Sequence, residues 1–178
     1  MSHSVSRSTR NAIVVSMLLA LGSPTLVWAA PIDCQTLNVA SAAGVMGVPK
    51  AKTIPSQGHQ KMSPDNMDFF SCSYVEISPD PLARTMSYWV YTPIPKDLAS
   101  VFASLSHPNI PGKPQSFVPG IGTGSTGWVR LSANGETYDG SIVFQGTSNI
   151  VLVKVAGMPS SDAAKSALVK AGKILAKS

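Results

Sequence analysis

Along the chain the apolar positions change period several times, and each change marks an element. In "RTMSYWVYT" (residues 84–92) they alternate, so Met86, Tyr88 and Val90 share one face while Trp89 and Tyr91 take the other, as a half-buried strand requires. The aromatic and β-branched "MDFFSCSYVEI" (67–77) is a second strand, separated from the first by a turn of Pro79, Asp80 and Pro81. "WVRLSA" (128–133), "TYDGSIVFQGT" (137–147) and "NIVLVKVAG" (149–157) read as three more strands. Asn134-Gly135 is the pair that two-residue type I′ hairpins prefer, and "GTSN" plays a similar part before the last strand. These strands are expected to form an antiparallel meander.

Three stretches carry helical spacing instead. "CQTLNVASAAGVMGVPK" (34–50) predicts a short helix capped by Thr36, with Leu37, Ala40, Ala43 and Gly44 on one stripe and Gly47 and Pro49 stopping it. "IPKDLASVFASLSHPN" (94–109) sets Leu98, Val101, Phe102 and Leu105 on one face and ends at Pro108. The last, "PSSDAAKSALVKAGKILAKS" (159–178), has Ser161 or Asp162 as its cap and places Ala164, Ala167, Leu168, Ala171, Ile174 and Leu175 together. Its lysines gather toward the negative end of the helix dipole, and its alanine-rich stripe suits close docking on a sheet better than a membrane surface. Between these elements, residues 50–66 predict an edge strand at most and then a loop, and residues 108–127 predict a long Pro/Gly-rich loop.

The first 29 residues fall outside the fold. Arg7 and Arg10, with no acid nearby, precede a ten-residue apolar run from Ala12 to Leu21 and then small residues up to Ala29, the order of a secretory signal and about half the length of a membrane span. Cleavage before Ala30 leaves one domain, residues 30–178, secreted or periplasmic and without stable membrane insertion. That part holds 12 basic residues (14 minus Arg7 and Arg10) and 9 acidic ones. Its lysines are scattered with no basic stripe, so no nucleic acid is expected as a partner. In an oxidising compartment the only two cysteines, Cys34 and Cys72, predict one disulfide.

Chemistry-bearing motifs are few. Gly122, Gly124 and Gly127 fit the G-x-G-x-x-G spacing of a dinucleotide cradle. That cradle needs a helix to follow its last glycine, whereas Gly127 leads into the strand "WVRLSA". The glycines are read as a bend, and no cofactor is expected. His59 and His107 lack ligand partners at helical or hairpin spacing, so no metal is expected. Asp65 and Asp68 lack the glycine and distal glutamate of a calcium loop. No catalytic residues are assigned.

The order of these landmarks resembles a group of small secreted actinobacterial proteins. Asp33-Cys34 opens a short helix that ends near Gly47, Cys72-Ser73-Tyr74 lies on a strand, Pro119 to Gly122 precede an aromatic strand at Trp128, and an Ala-rich helix runs from Asp162. The resemblance implies a PsbP-like fold and roles in binding instead of catalysis. The chain departs from many of those proteins in lacking a lipid-bearing cysteine. Independently, runs of hairpin-connected strands bounded by helices predict an α+β domain, about five antiparallel strands packed against two or three helices.

The expectation for function is a non-enzymatic binding protein that recognises another envelope or extracellular protein, in its specific version as an inhibitor or immunity-type factor. Trp89, Tyr91, Gly122, Gly124 and Trp128 form the candidate binding surface, with the loop from Pro108 to Gly127 as the inserting element. A carrier of an apolar small ligand and a small cell-wall hydrolase are the alternatives.

Overall fold

The computed structural model describes residues 32–54, 59–62, 67–92, 94 and 114–177. The expected signal segment, the expected helix at 94–109 apart from Ile94, Asp65 and His107 lie outside the described residues. Helix α1 (Val39–Met46) leads to β1 (Ala51–Thr53), β2 (His59–Met62), β3 (Met67–Glu76), β4 (Thr85–Thr92), β5 (Gln115–Phe117), β6 (Thr123–Leu131), β7 (Tyr138–Gln145) and β8 (Ile150–Met158), and α2 (Ser161–Leu175) closes the chain.

All described strand pairs are antiparallel, in the order β1-β3-β4-β8-β7-β6-β5, with β2 sharing the edge of β3 beside β1. The α+β class and the disulfide hold. The count of about five strands does not, because seven strands follow one another across the sheet. Two hairpin-connected blocks, β3-β4 and β6-β7-β8, join where β4 pairs with β8, Tyr88 opposite Val153. A simple meander would have left these strands apart.

One face of the sheet forms the main core. Met86, Tyr88 and Val90 of β4 join Val151, Val153 and Val155 of β8, Ile142 and Phe144 of β7 and Val129 of β6. Against them α2 lays Ala164, Ala167, Leu168, Ala171 and Leu175, all but sealed from solvent. Burying one leucine such as Leu168 contributes about 1.5–3 kcal/mol. Small residues set the approach: a Cβ on Gly140 would lie 2.8 Å from Leu168 Cδ1 and 3.0 Å from the Trp128 carbonyl oxygen. Docking on the sheet is thus what the alanine stripe of α2 does.

The N-terminal segment is fastened to this core from two directions. The Cys34–Cys72 disulfide, with Cα atoms 5.7 Å apart, ties the entry of α1 to β3. Beside it the fully buried Tyr88 donates to the Asp33 carbonyl at 2.6 Å, and Tyr74 donates to the carbonyls of Leu37 and Cys34. Arg84 donates to the Met46 and Gly47 carbonyls at 3.1 and 2.9 Å, placing a cation at the negative end of α1.

Several local expectations are corrected. Asn38, not Thr36, caps α1, accepting from the Ser41 amide at 3.0 Å; Thr36 belongs to a preceding turn organised by the Asp33 carboxylate. The helix buries Ala42, Ala43, Val45 and Met46, and Ala40 and Gly44 face out. Gly47 does end it, with φ 67°. The cap of α2 is Ser160, accepting from the Ala163 amide at 3.1 Å. Asn134-Gly135 is not the centre of a two-residue turn. The Gly135 amide bonds back to the Ser132 carbonyl, so Ala133 and Asn134 are the central residues, and the Asn134 side chain accepts from the Glu136 and Thr137 amides.

The two expected loops also contain strands. Residues 50–66 hold β1 and β2, so His59 sits on a strand, opposite Phe70. In the glycine-rich region β5 pairs with β6, which begins at Thr123, five residues before the expected "WVRLSA". Gly127 lies inside β6, where a Cβ would meet Ile142 Cγ2 at 2.7 Å and Phe117 Cε1 at 2.9 Å. No helix follows it, so the G-x-G-x-x-G spacing lacks the helix N-terminus that a dinucleotide cradle uses.

Candidate functional site

Period-two alternation sends the other half of each strand to the sheet's outer face. Phe69, Trp89, Tyr91, Ile150, Leu152 and Val143 form a second, smaller apolar cluster there. Tyr91 lies opposite both Phe69 and Ile150, its ring 5.8 Å from that of Phe69. Burial holds the Tyr91 hydroxyl above its ordinary pKa.

Toward the other end of the strands this face becomes polar. One row crosses the sheet through directly paired residues: Ser73, Ser87, Lys154, Ser141, Trp128 and Ser116. A cavity of about 310 Å³ opens here, its lining including Ser87, Trp89, Trp128, Arg130, Asp139 and Lys154. Two cations lie against the two indoles, Lys154 Nζ 5.3 Å from the Trp89 ring centre and Arg130 Cζ 5.7 Å from that of Trp128. Cation–π contacts of this kind are worth about 0.5–1 kcal/mol when exposed and more when dry. Arg130 also pairs with Asp139 at 3.6 Å. Lys154 is exposed and has no carboxylate within ion-pair distance among the described residues.

Two polar groups on this row are deeply buried. Trp128 is 6% exposed and Ser141 1%, and among the described residues neither the Trp128 Nε1 nor the Ser141 Oγ has a hydrogen-bond partner. Nearly all buried polar groups in native proteins are satisfied. The accessible parts of the groove include the half-buried Trp89 and the exposed Lys154, while the unpaired Trp128 Nε1 and Ser141 Oγ are sealed from solvent.

The structure brings Trp89, Tyr91 and Trp128 onto this one face, but not the two glycines. Gly122 and Gly124 lie at the start of β6, with φ 56° and 63°. Gly122 is required by its backbone: a Cβ would stand 2.5 Å from the Gln145 carbonyl oxygen. Gly124 falls in the irregular register between Thr123 and Thr126 and has open space around it. Neither lines the groove. Lys154, Arg130 and Asp139 line the groove and Ser141 lies buried on the same row, and sequence reading missed all four. The available signal was Lys154, the single charge in the apolar run of β8.

Among the described residues no three His, Cys, Asp or Glu side chains gather as a metal site would need, and no helix is long and apolar enough to cross a membrane. No family model and no curated protein matches the chain.

Proposed function

We propose that the chain is a secreted or periplasmic binding domain, non-enzymatic, which recognises another envelope or extracellular protein through the outer face of its sheet. The observation that carries this reading is the convergence of Trp89, Tyr91 and Trp128, from two strands distant in sequence, onto one face beside the cavity. Aromatic residues flanked by cations dominate the energetics of protein interfaces. The paired strands β4, β8, β7 and β6 set their separation in advance, which lowers the ordering cost on binding.

Secretion belongs to the same proposal, supported by the disulfide and by the basic, apolar and small-residue zones of the first 29 residues. So does the likeness to secreted PsbP-like proteins, which rests on the order of Asp33-Cys34, Gly47, Cys72-Ser73-Tyr74, Pro119 to Gly122, Trp128 and the Ala-rich helix from Asp162. The test is capture from envelope extract by the immobilised chain of residues 30–178. One protein recovered in stoichiometric amount by the wild type and lost with Trp89→Ala supports the reading. Recovery that is indifferent to Trp89→Ala overturns it, and lipid extracted from the purified protein would favour an apolar carrier.

A further inference from the structure

We infer that the groove between β4, β8, β7 and β6 reads a carboxylate, supplied by an aspartate or glutamate side chain on a loop of the partner protein. This rests on the proposed binding role and names the chemistry that the face selects. Two residues lining the cavity, Lys154 and Trp128, carry donors alone, whereas the serines of the row can donate or accept. Lys154 offers three N–H donors and no acceptor, and the Trp128 indole offers one and no acceptor. The Ser141 hydroxyl, opposite both Lys154 and Trp128, has no partner among the described residues. The nearby carboxylate, Asp139, is drawn to Arg130 at 3.6 Å. An occupant that completes this row must accept hydrogen bonds, and beside an ammonium lacking a counter-ion among the described residues it is favoured when negative.

Shape narrows the class. The Trp89 and Trp128 rings supply flat apolar surface beside the cations, which suits the methylenes of an acidic side chain and a neighbouring apolar residue. At about 310 Å³ the cavity stands at the low end of small-ligand sites, enough for one or two side chains. Lys154 at its exposed mouth provides for entry from a protein surface.

The test uses the ¹⁵N-labelled chain of residues 30–178 and three probes: the peptide acetyl-Gly-Leu-Glu-Leu-Gly-amide, its Gln counterpart, and inorganic phosphate. The Glu peptide is expected to shift the Trp128 indole N–H and the amides around Lys154, to bind roughly tenfold more weakly to Lys154→Gln, and to be unaffected by Lys52→Gln, an exposed charge on β1. A Gln peptide that binds equally well, phosphate that binds better than the Glu peptide, or binding unchanged in Lys154→Gln would overturn the inference. Absence of any shift at the groove would do so too. Partner capture distinguishes the two levels: stoichiometric capture that survives Lys154→Gln at every salt concentration removes the carboxylate reading and leaves the binding role standing, whereas capture that survives Trp89→Ala removes the binding role itself.

Discussion

The two faces of the sheet are built from the same alternating strands and end in opposite states. On the helix-covered face every deeply buried hydroxyl described has a partner: Tyr74 and Tyr88 donate to main-chain carbonyls of the segment before α1. On the outer face the Trp128 indole nitrogen and the Ser141 hydroxyl are also buried, and they lack partners among the described residues. The first face is spent on stability, where an unmet polar group would cost about 1–3 kcal/mol. The second carries that cost at two groups.

Perturbing the first face should lower stability and leave binding intact. The largest expected effect is loss of the disulfide. Cys34→Ser with Cys72→Ser releases a loop spanning 38 positions and should cost about 4 kcal/mol, about 10 °C in melting temperature for a domain of this size. An unchanged melting curve would show that the tyrosines alone hold the N-terminal segment.

Next comes a contrast between two glycines with nearly the same φ. Gly122→Ala must strain the backbone and also drive a Cβ into the Gln145 carbonyl, for about 3 kcal/mol. Gly124→Ala meets open space and should cost about 1 kcal/mol. Equal costs in denaturant titrations would mean that the contact with β7 is not what demands glycine at 122.

Smaller again is Tyr88→Phe, expected to cost about 1–2 kcal/mol at neutral pH. It also has a pH signature. Burial raises the pKa of Tyr88, with the neighbouring Tyr74 and the Asp33 carboxylate adding to it, and burial raises those of Tyr74 and Tyr91. The folded chain keeps phenolic protons that the unfolded chain loses above its ordinary value near 10.0. Stability is therefore full below pH 10 and falls as pH rises beyond it. Removing Tyr88 should make that decline shallower by up to about 1.4 kcal/mol per pH unit, read from denaturant midpoints between pH 9 and 11.5. The smallest effect on stability belongs to the outer face: Lys154→Gln should change unfolding free energy by less than about 0.5 kcal/mol.

How much of this was legible in the sequence follows from the length of each pattern. β4 and α2 carry long, regular periods, and the stripe read for α2 lies in the core except for the half-buried Ile174. β1, β2 and β5 have three or four residues, too few to display a period. The start of β6 hides behind Gly124, since a glycine-bearing irregularity in a strand has the composition of a loop. The Asp33 turn misled the placement of the first cap, because Thr36 has the right chemistry two residues early. Two of the groove's aromatics could be named in advance as strand aromatics. Lys154 stood out as the one charge of β8, but that it reaches Trp89 follows only from the pairing of β4 with β8, a register that no local pattern encodes.

The most direct test sets one substitution on each face against the other in the same capture experiment. Trp89→Ala alters the groove, and Ile174→Ala trims a partly buried residue of α2 packed on the inner core. Ile174→Ala is expected to melt at a lower temperature yet retain the partner, while Trp89→Ala, assayed well below its own melting point, releases it. Loss of the partner in Ile174→Ala with retention in Trp89→Ala would place recognition on the helix side and contradict the account.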